Sequence, residues 1–415
     1  MVATLGSEPE YETGEVALQI ERVDGDITYQ KFLDEYLTPN RPVILRHQLV
    51  SSWPAFDLWT VAKTEINWRY LVQQYGEEEV SVADCSTCDS FGNLECETAI
   101  FEQVASQWMR GEGQHLYVKD WHLARNVECT GSASSSASPP TPFYTIPDIF
   151  KDDWMNAYYT ACTSDDFRFV YVGTAGTFTP LHRDVYCSYS WSSNICGRKR
   201  WWLFPPEYTS HLFMEGRRVT VHDVRHVDEL RFPYFRKAQC IVVEQEAGET
   251  IFVPSGWYHQ VENLTDCISI NHNWCNSNNL PALYMSMCEK VVEVEDALDD
   301  VQEMMVKSSH DKDEWKREFS AVVQNVVKHD AGWNWLTFWS MIAYVLERMH
   351  SPLNGLAASF PVAPPHLRPP DSVVLVAIRT CYDDFVRRDR VECTGDVALV
   401  ITRISCLLNE ASPSS

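Results

Sequence analysis

His182 and Asp184 stand two residues apart in the run Thr177-Phe-Thr-Pro-Leu-His-Arg-Asp184, and His259 closes the run Val253-Pro-Ser-Gly-Trp-Tyr-His259 much farther along the chain. On an extended strand residues i and i+2 face the same side, so one imidazole and one carboxylate project together. A second strand then needs to add only one more imidazole. Two histidines and a carboxylate on one face of an octahedral ion leave the opposite positions open, the arrangement used by non-haem Fe(II) oxygenases.

His-x-Asp also arises by chance, usually as a hydrogen-bonded pair. The chain carries its own control in His226-Val-Asp228, which lies in a charged stretch with weak alternation and reads as a solvated loop or short helix. The first pair differs in its surroundings. Phe167-Arg-Phe-Val-Tyr-Val-Gly173 precedes it, and Trp201-Trp-Leu-Phe-Pro-Pro206 and Thr250-Ile-Phe-Val-Pro-Ser-Gly-Trp257 follow, all short strands cut by turn residues.

The elements around these runs divide the chain into zones. Residues 1–15 are acidic and read as a disordered N-terminus; 16–142 mix short strands, beginning at Val16-Ala-Leu-Gln-Ile20, with amphipathic helices. Within that flank, 131–142 is rich in Ser and Pro and reads as a mobile surface insertion. From 143 to 276 strand signals recur with Gly and Pro turns, as in an antiparallel barrel or jelly roll. The polar, aromatic interruption at 205–239 is assigned to the substrate entrance, since a loop that long is commonly functional. Beyond 277 the pattern is helical: Val291–Lys307, Trp315–Lys328, Trp335–Met349 and, after a linker at Pro361–Pro370, roughly 371–408. The fold class expected is α+β.

With 415 residues, 45% hydrophobic and 12% aromatic, the chain can bury a large core. Its 34 basic against 58 acidic residues leave a net charge of −24, which repels phosphate backbones and favours a basic partner over nucleic acid. Neither a signal peptide nor an apolar run long enough for a bilayer is evident, so a soluble protein outside membranes is expected. Fourteen cysteines without an export signal suggest reduced thiols in the cytosol or nucleus. Cys85-Ser-Thr-Cys88 with Cys96 could begin a zinc site, but no second pair with finger-like spacing follows.

The blocks His182-Arg-Asp184, Cys196-Gly-Arg-Lys-Arg-Trp-Trp-Leu-Phe-Pro-Pro206 and Gly248-Glu-Thr-Ile-Phe-Val-Pro-Ser-Gly-Trp-Tyr-His259 resemble the jumonji-C oxygenases, iron and 2-oxoglutarate dependent enzymes on a double-stranded β-helix of the cupin-like, jelly-roll kind. Tyr117-Val-Lys-Asp-Trp-His122, Ser190-Trp-Ser-Ser-Asn194 and Ser269-Ile-Asn-His-Asn-Trp274 narrow the resemblance to the small hydroxylase branch of that family. It covers roughly residues 15 to 280; the helical tail matches loosely and the Ser/Pro insertion is peculiar to this chain.

The resemblance implies that His182, Asp184 and His259 are catalytic iron ligands, with 2-oxoglutarate and dioxygen as cosubstrates in the same barrel. A dicarboxylate chelating the metal leaves its far carboxylate buried, where it needs a cation and donors. Lys199 matches the family position for that ammonium, and Thr179 and Tyr117 match its hydroxyl partners. Lys199 could instead be one of three solvent-facing bases in Arg198-Lys-Arg200, although alternation puts Lys199 on the face opposite the two arginines. Asn194 and Asn273 are further pocket candidates, each equally readable as a structural amide. Trp191, Trp257 and Trp274 read as barrel packing.

For the substrate, the resemblance implies a protein lysine hydroxylated on a side-chain carbon, with the eukaryotic translation release factor as the target and a cytoplasmic, or also nuclear, location. An N-methyl-lysine demethylase would use the same iron chemistry. A barrel that binds protein without catalysis is the reading of another class, and hydroxylation of a transfer-RNA base is disfavoured by the charge.

Overall fold

A computed structural model describes residues 18–88, 94–133, 142–216, 219–308, 314–350, 360, 363–388 and 395–410. Fifteen strands occur among them. In the first part of the chain these are β1 (Glu21–Val23), β2 (Val43–Leu45), β3 (Thr60–Val61), β4 (Glu65–Ile66), β5 (Glu79–Cys88), β6 (Leu94–Ile100) and β7 (Leu116–Trp121). The central eight are β8 (Arg168–Gly173), β9 (Phe178–His182), β10 (Tyr189–Cys196), β11 (Lys199–Phe204), β12 (Ile241–Gln245), β13 (Thr250–Val253), β14 (Tyr258–Asn263) and β15 (Cys267–Trp274).

These central strands divide between two facing sheets. One runs β1-β2-β13-β10-β15-β8-β7-β5-β6 and the other β12-β11-β14-β9, so the chain passes repeatedly from sheet to sheet. All central pairings are antiparallel, which makes this the jelly roll of the α+β class expected from the sequence.

Alternation decides what faces the barrel interior. On β11, Lys199, Trp201 and Leu203 are buried, while Arg198 and Arg200 reach outward to Glu244. The turn that delivers β11 is Cys196-Gly197-Arg198. Gly197 has φ +83°, and a Cβ there would lie 2.1 Å from the Asp266 carbonyl oxygen, so both handedness and space demand glycine.

The N-terminal flank is not a separate lobe. β2 pairs with β13 and β7 with β8, so flank strands extend the larger sheet at both ends. The first strand is Glu21–Val23 rather than Val16–Ile20: residues 18–20 carry no strand, and 16–17 lie outside the described residues. Flank helices bury Phe32, Trp53 and Phe101 with Trp191, Phe252 and Trp274 in one core against the outer face of that sheet. Trp257 instead packs between the sheets with Trp201 and Val261.

The segment 205–239 folds largely onto the outer face of the smaller sheet, where Leu212, Val221, Phe232 and Phe235 pack on Phe204, Leu181 and Tyr258. It is thus mainly a packed cover, with only part of it near the cavities described below. His226 and Asp228 sit in it without helix or strand.

The C-terminal helices form a second core with Leu283, Met287, Trp335, Trp339 and Phe385. Their first member begins at Leu280, not Val291, with Pro281 in its first turn and the Asn279 side chain accepting the Asn276 amide. The helix Leu123–Ala133 runs into the Ser/Pro insertion, of which 134–141 lie outside the described residues. In the proline stretch, Pro365–Leu367 forms a 3-10 turn that packs near Tyr29. No helix among the described residues is long and apolar enough to cross a membrane.

Candidate metal centre

His182 ends β9 and His259 is the second residue of β14, and the two are direct cross-strand partners. Their ring centroids are 4.2 Å apart. Strand pairing stops at His182, but the backbone stays extended through Asp184 (φ −57°, ψ 148°) before turning at Tyr186 and Cys187, whose φ values are +51° and +58°. The i, i+2 argument therefore holds two residues past the hydrogen-bonded ladder. The ligating atoms of His182, Asp184 and His259 all lie within 4.8 Å of one another, with His259 Nε2 4.0 Å from Asp184 Oδ2.

Each imidazole is oriented by its own chain. His182 Nδ1 lies 2.8 Å from the Pro180 carbonyl oxygen and His259 Nδ1 3.1 Å from that of Trp257. A carbonyl only accepts, so Nδ1 carries the proton and the Nε2 lone pair is left for a metal. Burial, with the neighbouring His259, pushes the His182 pKa down to about 4, which keeps that ring neutral as a ligand must be.

Asp184 is held by neutral donors on both oxygens: Ser190 Oγ at 2.7 Å to Oδ2 and Asn273 Nδ2 at 2.8 Å to Oδ1. Such donors fix the carboxylate without cancelling its charge. Two imidazoles with Nδ1 turned to backbone carbonyls and an oriented carboxylate fit a divalent iron, and these residues would hold it.

Lys199 is only 2% exposed, and its ammonium donates to Asn263 Oδ1 at 2.8 Å. Asn263 in turn donates to Thr177 Oγ1. No carboxylate among the described residues pairs with Lys199, and burial lowers its pKa. A buried ammonium with a neutral partner is half of an ion pair, and a dicarboxylate cosubstrate would supply the other half. Tyr117 lies beside it, with Nζ 6.0 Å from the ring centroid; burial raises the phenol pKa, while Thr179 and Asn263 oppose that rise by hydrogen bonding. Lys199, Tyr117 and Thr179 therefore converge, and the polar cradle fits 2-oxoglutarate.

An inner cavity of about 50 Å³ is lined by Tyr117, Thr179, Lys199 and the three ligands. An outer one of about 790 Å³ shares Tyr171, Thr179, His182, Asp184 and Asn273 with it and opens outward past Val219, Thr220 and His222. That rim is the part of 205–239 that meets the expected entrance.

Two candidates have other tasks. Asn194 lines neither cavity; its amide donates to Gly197 O and its backbone pairs with Glu249 and Gly248, so it braces the Gly197 turn. Asn273 does line both cavities, but its amide is spent on Asp184 and Ser188, so it positions a ligand rather than the cosubstrate. Asn263, Tyr171 and Ser190 were not singled out in the sequence. Period-two spacing from His259 reaches Asn263 through Val261, a signal that could have found it. Cys85 and Cys96 lie on paired strands, and Cys85 Sγ engages the Phe178 backbone.

Comparison with known proteins agrees with this geometry. A cupin-like domain model matches residues 29–280. The chain is 34% identical to the 2-oxoglutarate and iron-dependent oxygenase JMJD4 of Gallus gallus, over 83% of this chain and 78% of that one. It is 30% identical to the oxygenase of the same name from Homo sapiens, over 80% and 77%. The arginine-specific demethylase JMJ20 of Arabidopsis thaliana is 36% identical over 69% of this chain, which spans 63% of that relative's length. A matching domain model over more than half of the chain, with relatives at this identity, shows that the chain belongs to the cupin-like jumonji-C family of 2-oxoglutarate and iron-dependent oxygenases.

Proposed function

We propose that this chain hydroxylates a lysine side chain of a protein, with the eukaryotic translation release factor as its target, in the cytoplasm and also the nucleus. The observation that carries the oxygenase part is the buried Lys199 ammonium, unpaired by any carboxylate among the described residues, beside His182, Asp184 and His259. A barrel kept only for protein binding has no reason to retain a buried cation that costs stability.

When bound, iron and 2-oxoglutarate supply the oxidising power: dioxygen puts one atom into a C–H bond as hydroxyl and the other into succinate, with carbon dioxide released. The protein's own residues do the rest. Lys199, Tyr117 and Thr179 bind the far carboxylate; Ser190 and Asn273 hold Asp184; the backbone carbonyls of Pro180 and Trp257 set the two imidazoles. Positioning of this kind, rather than acid–base catalysis, is what such chemistry asks of a protein.

Lysine is favoured as the target because a net charge of −24 attracts basic segments, and the likeness to oxygenases named JMJD4 supports the hydroxylase branch. No direct nucleic-acid or membrane partner is proposed. N-demethylation is the second reading, carried by the likeness to JMJ20. Incubating the Fe(II)-loaded chain with 2-oxoglutarate, oxygen and the release factor separates the two. The expected result is a lysine-bearing peptide heavier by one oxygen together with succinate; loss of a methyl group with formaldehyde would replace this reading by the second, and succinate that never forms would remove both.

A further inference from the structure

Of the described residues lining the outer cavity, only Asp120 and Asp184 are acidic, and Asp184 belongs to the metal centre. Asp120 sits where the pairing of β7 with β8 shifts register between Val118 and Trp121, with φ +53°. That left-handed kink re-aims a side chain that regular alternation would have placed otherwise, and such strain concentrates at functional positions. Asp120 has one polar partner among the described residues: Tyr171 donates its phenol to Oδ1 at 2.5 Å.

Tyr171 connects this carboxylate to the metal centre. It lines the inner cavity with His182 and Asp184 and the outer one with Asp120. Phe167, just before β8, and Phe169 and Tyr171 on it recur at period two and all three line the outer cavity, while the alternating Arg168, Val170 and Val172 are buried. The result is an aromatic wall with a carboxylate held at Tyr171. Lys119 and Arg183 also line this space, and Arg183 is turned toward Ser286 and the Tyr258 ring. A cationic guest meets repulsion from both, which leaves Asp120 as the carboxylate able to receive it.

Resting on the lysyl hydroxylase reading, we propose that Asp120 seats the ammonium of the substrate side chain, with the methylenes lying along Phe169 and Tyr171, so that a chain carbon rather than the nitrogen is turned toward His182, Asp184 and His259. Because Tyr171 occupies one oxygen, the carboxylate suits a point-charge ammonium better than a guanidinium, whose planar fork asks for both oxygens in line. The seat therefore selects lysine over arginine. It also selects hydroxylation over demethylation, since the nitrogen is held away from the metal.

The test needs no protein substrate. Mn(II) replaces iron, 2-oxoglutarate is added, and proton relaxation is followed for n-butylammonium, a lysine side-chain mimic, and for neutral n-butanol. Expected for the unaltered chain is stronger relaxation of butylammonium than of butanol, greatest on protons remote from nitrogen. Asp120→Asn, which tolerates the same backbone, weakens butylammonium binding by about tenfold or more and leaves butanol unchanged. Equal binding of the two probes, protons next to nitrogen relaxing most, or an unaffected Asp120→Asn variant would each overturn the proposal; the first two need no variant. A chain that takes up no Mn(II) removes the oxygenase reading and this inference together. A lysine hydroxylated in the release factor while Asp120→Asn has no effect on the probe removes the inference alone.

Discussion

Two clusters among the described residues offer the same residue types within bonding distance of a shared ion: His182, Asp184 and His259 in the barrel, and His122, Asp165 and Asp166 beside the helix Leu123–Ala133. Only the first has its charge to spare. In the second, His122 Nδ1 is 2.6 Å from Asp166 Oδ1, Arg168 donates to Asp166 Oδ2 at 2.6 Å, and Arg125 to Asp165 at 2.8 Å. Burial alone would raise the Asp166 pKa, yet His122 and Arg168 hold it below the usual carboxylate range. Arg168 is closed by a two-pronged contact with Glu128. The lesson is that donors without charge prepare a carboxylate for metal, whereas guanidinium groups consume it.

The widest separation between the clusters is expected on removing a ligand. His182→Ala or Asp184→Ala lowers succinate formation by about a thousandfold or more while unfolding temperature changes little. His122→Ala leaves turnover per folded molecule intact; loss of metal uptake in that variant would erase the distinction.

Breaking the other cluster should cost stability in place of activity. Arg168→Met strands the buried carboxylate of Asp166 and destabilises the fold by about 3–5 kcal/mol, read by urea denaturation. Lys199→Met behaves in the opposite sense. It raises the KM for 2-oxoglutarate by about a hundredfold, while the cosubstrate-free protein unfolds no earlier, since a buried cation lacking a carboxylate has been removed.

Smaller effects test how Asp184 is held. Asn273→Ala or Ser190→Ala weakens metal binding by about 10–100-fold, measured by titration with Mn(II). The pH dependence of the metal-free protein is the subtlest difference. His182 has a pKa of about 4 when folded, against 6.5 ordinarily. Between those values the unfolded chain binds a proton that the folded chain refuses, so stability present above about pH 6.5 is lost as pH falls toward 4. His182→Gln flattens that slope, and an unchanged slope in that variant would show that burial does not hold the ring neutral.

Much of the site was legible because it obeys short-range rules. His182 and Asp184 share a face through i, i+2 spacing, and Lys199 points inward because Arg198 and Arg200 point out. Asn194 shows the limit of the same rule. It follows Ser190 and Ser192 on one face of β10, yet it passes the end of the cavity and bonds at the Gly197 turn. Alternation gives the side of a sheet and says nothing of depth along it. Asn273 was found without its task, because its partner Asp184 is distant in sequence. Asp120 was hidden by a register shift that breaks the period on which such reading depends.

The amino-acid order alone determined the shared face of His182 and Asp184, the inward face of Lys199, the recurrent strands of a barrel or jelly roll and the change to helices after it, because each is written in spacings of a few residues, while the role of Lys199 as a cosubstrate's cation rests on the resemblance to the jumonji-C oxygenases. Tertiary structure decided that β2 and β5–β7 join the barrel's larger sheet, that 205–239 covers the smaller one, and that one His/Asp cluster is free while the other is neutralised. Those outcomes depend on which distant strands pair and which charges they bring within hydrogen-bonding reach. Pairing energies of that kind are properties of the whole packed chain, and no local window contains them.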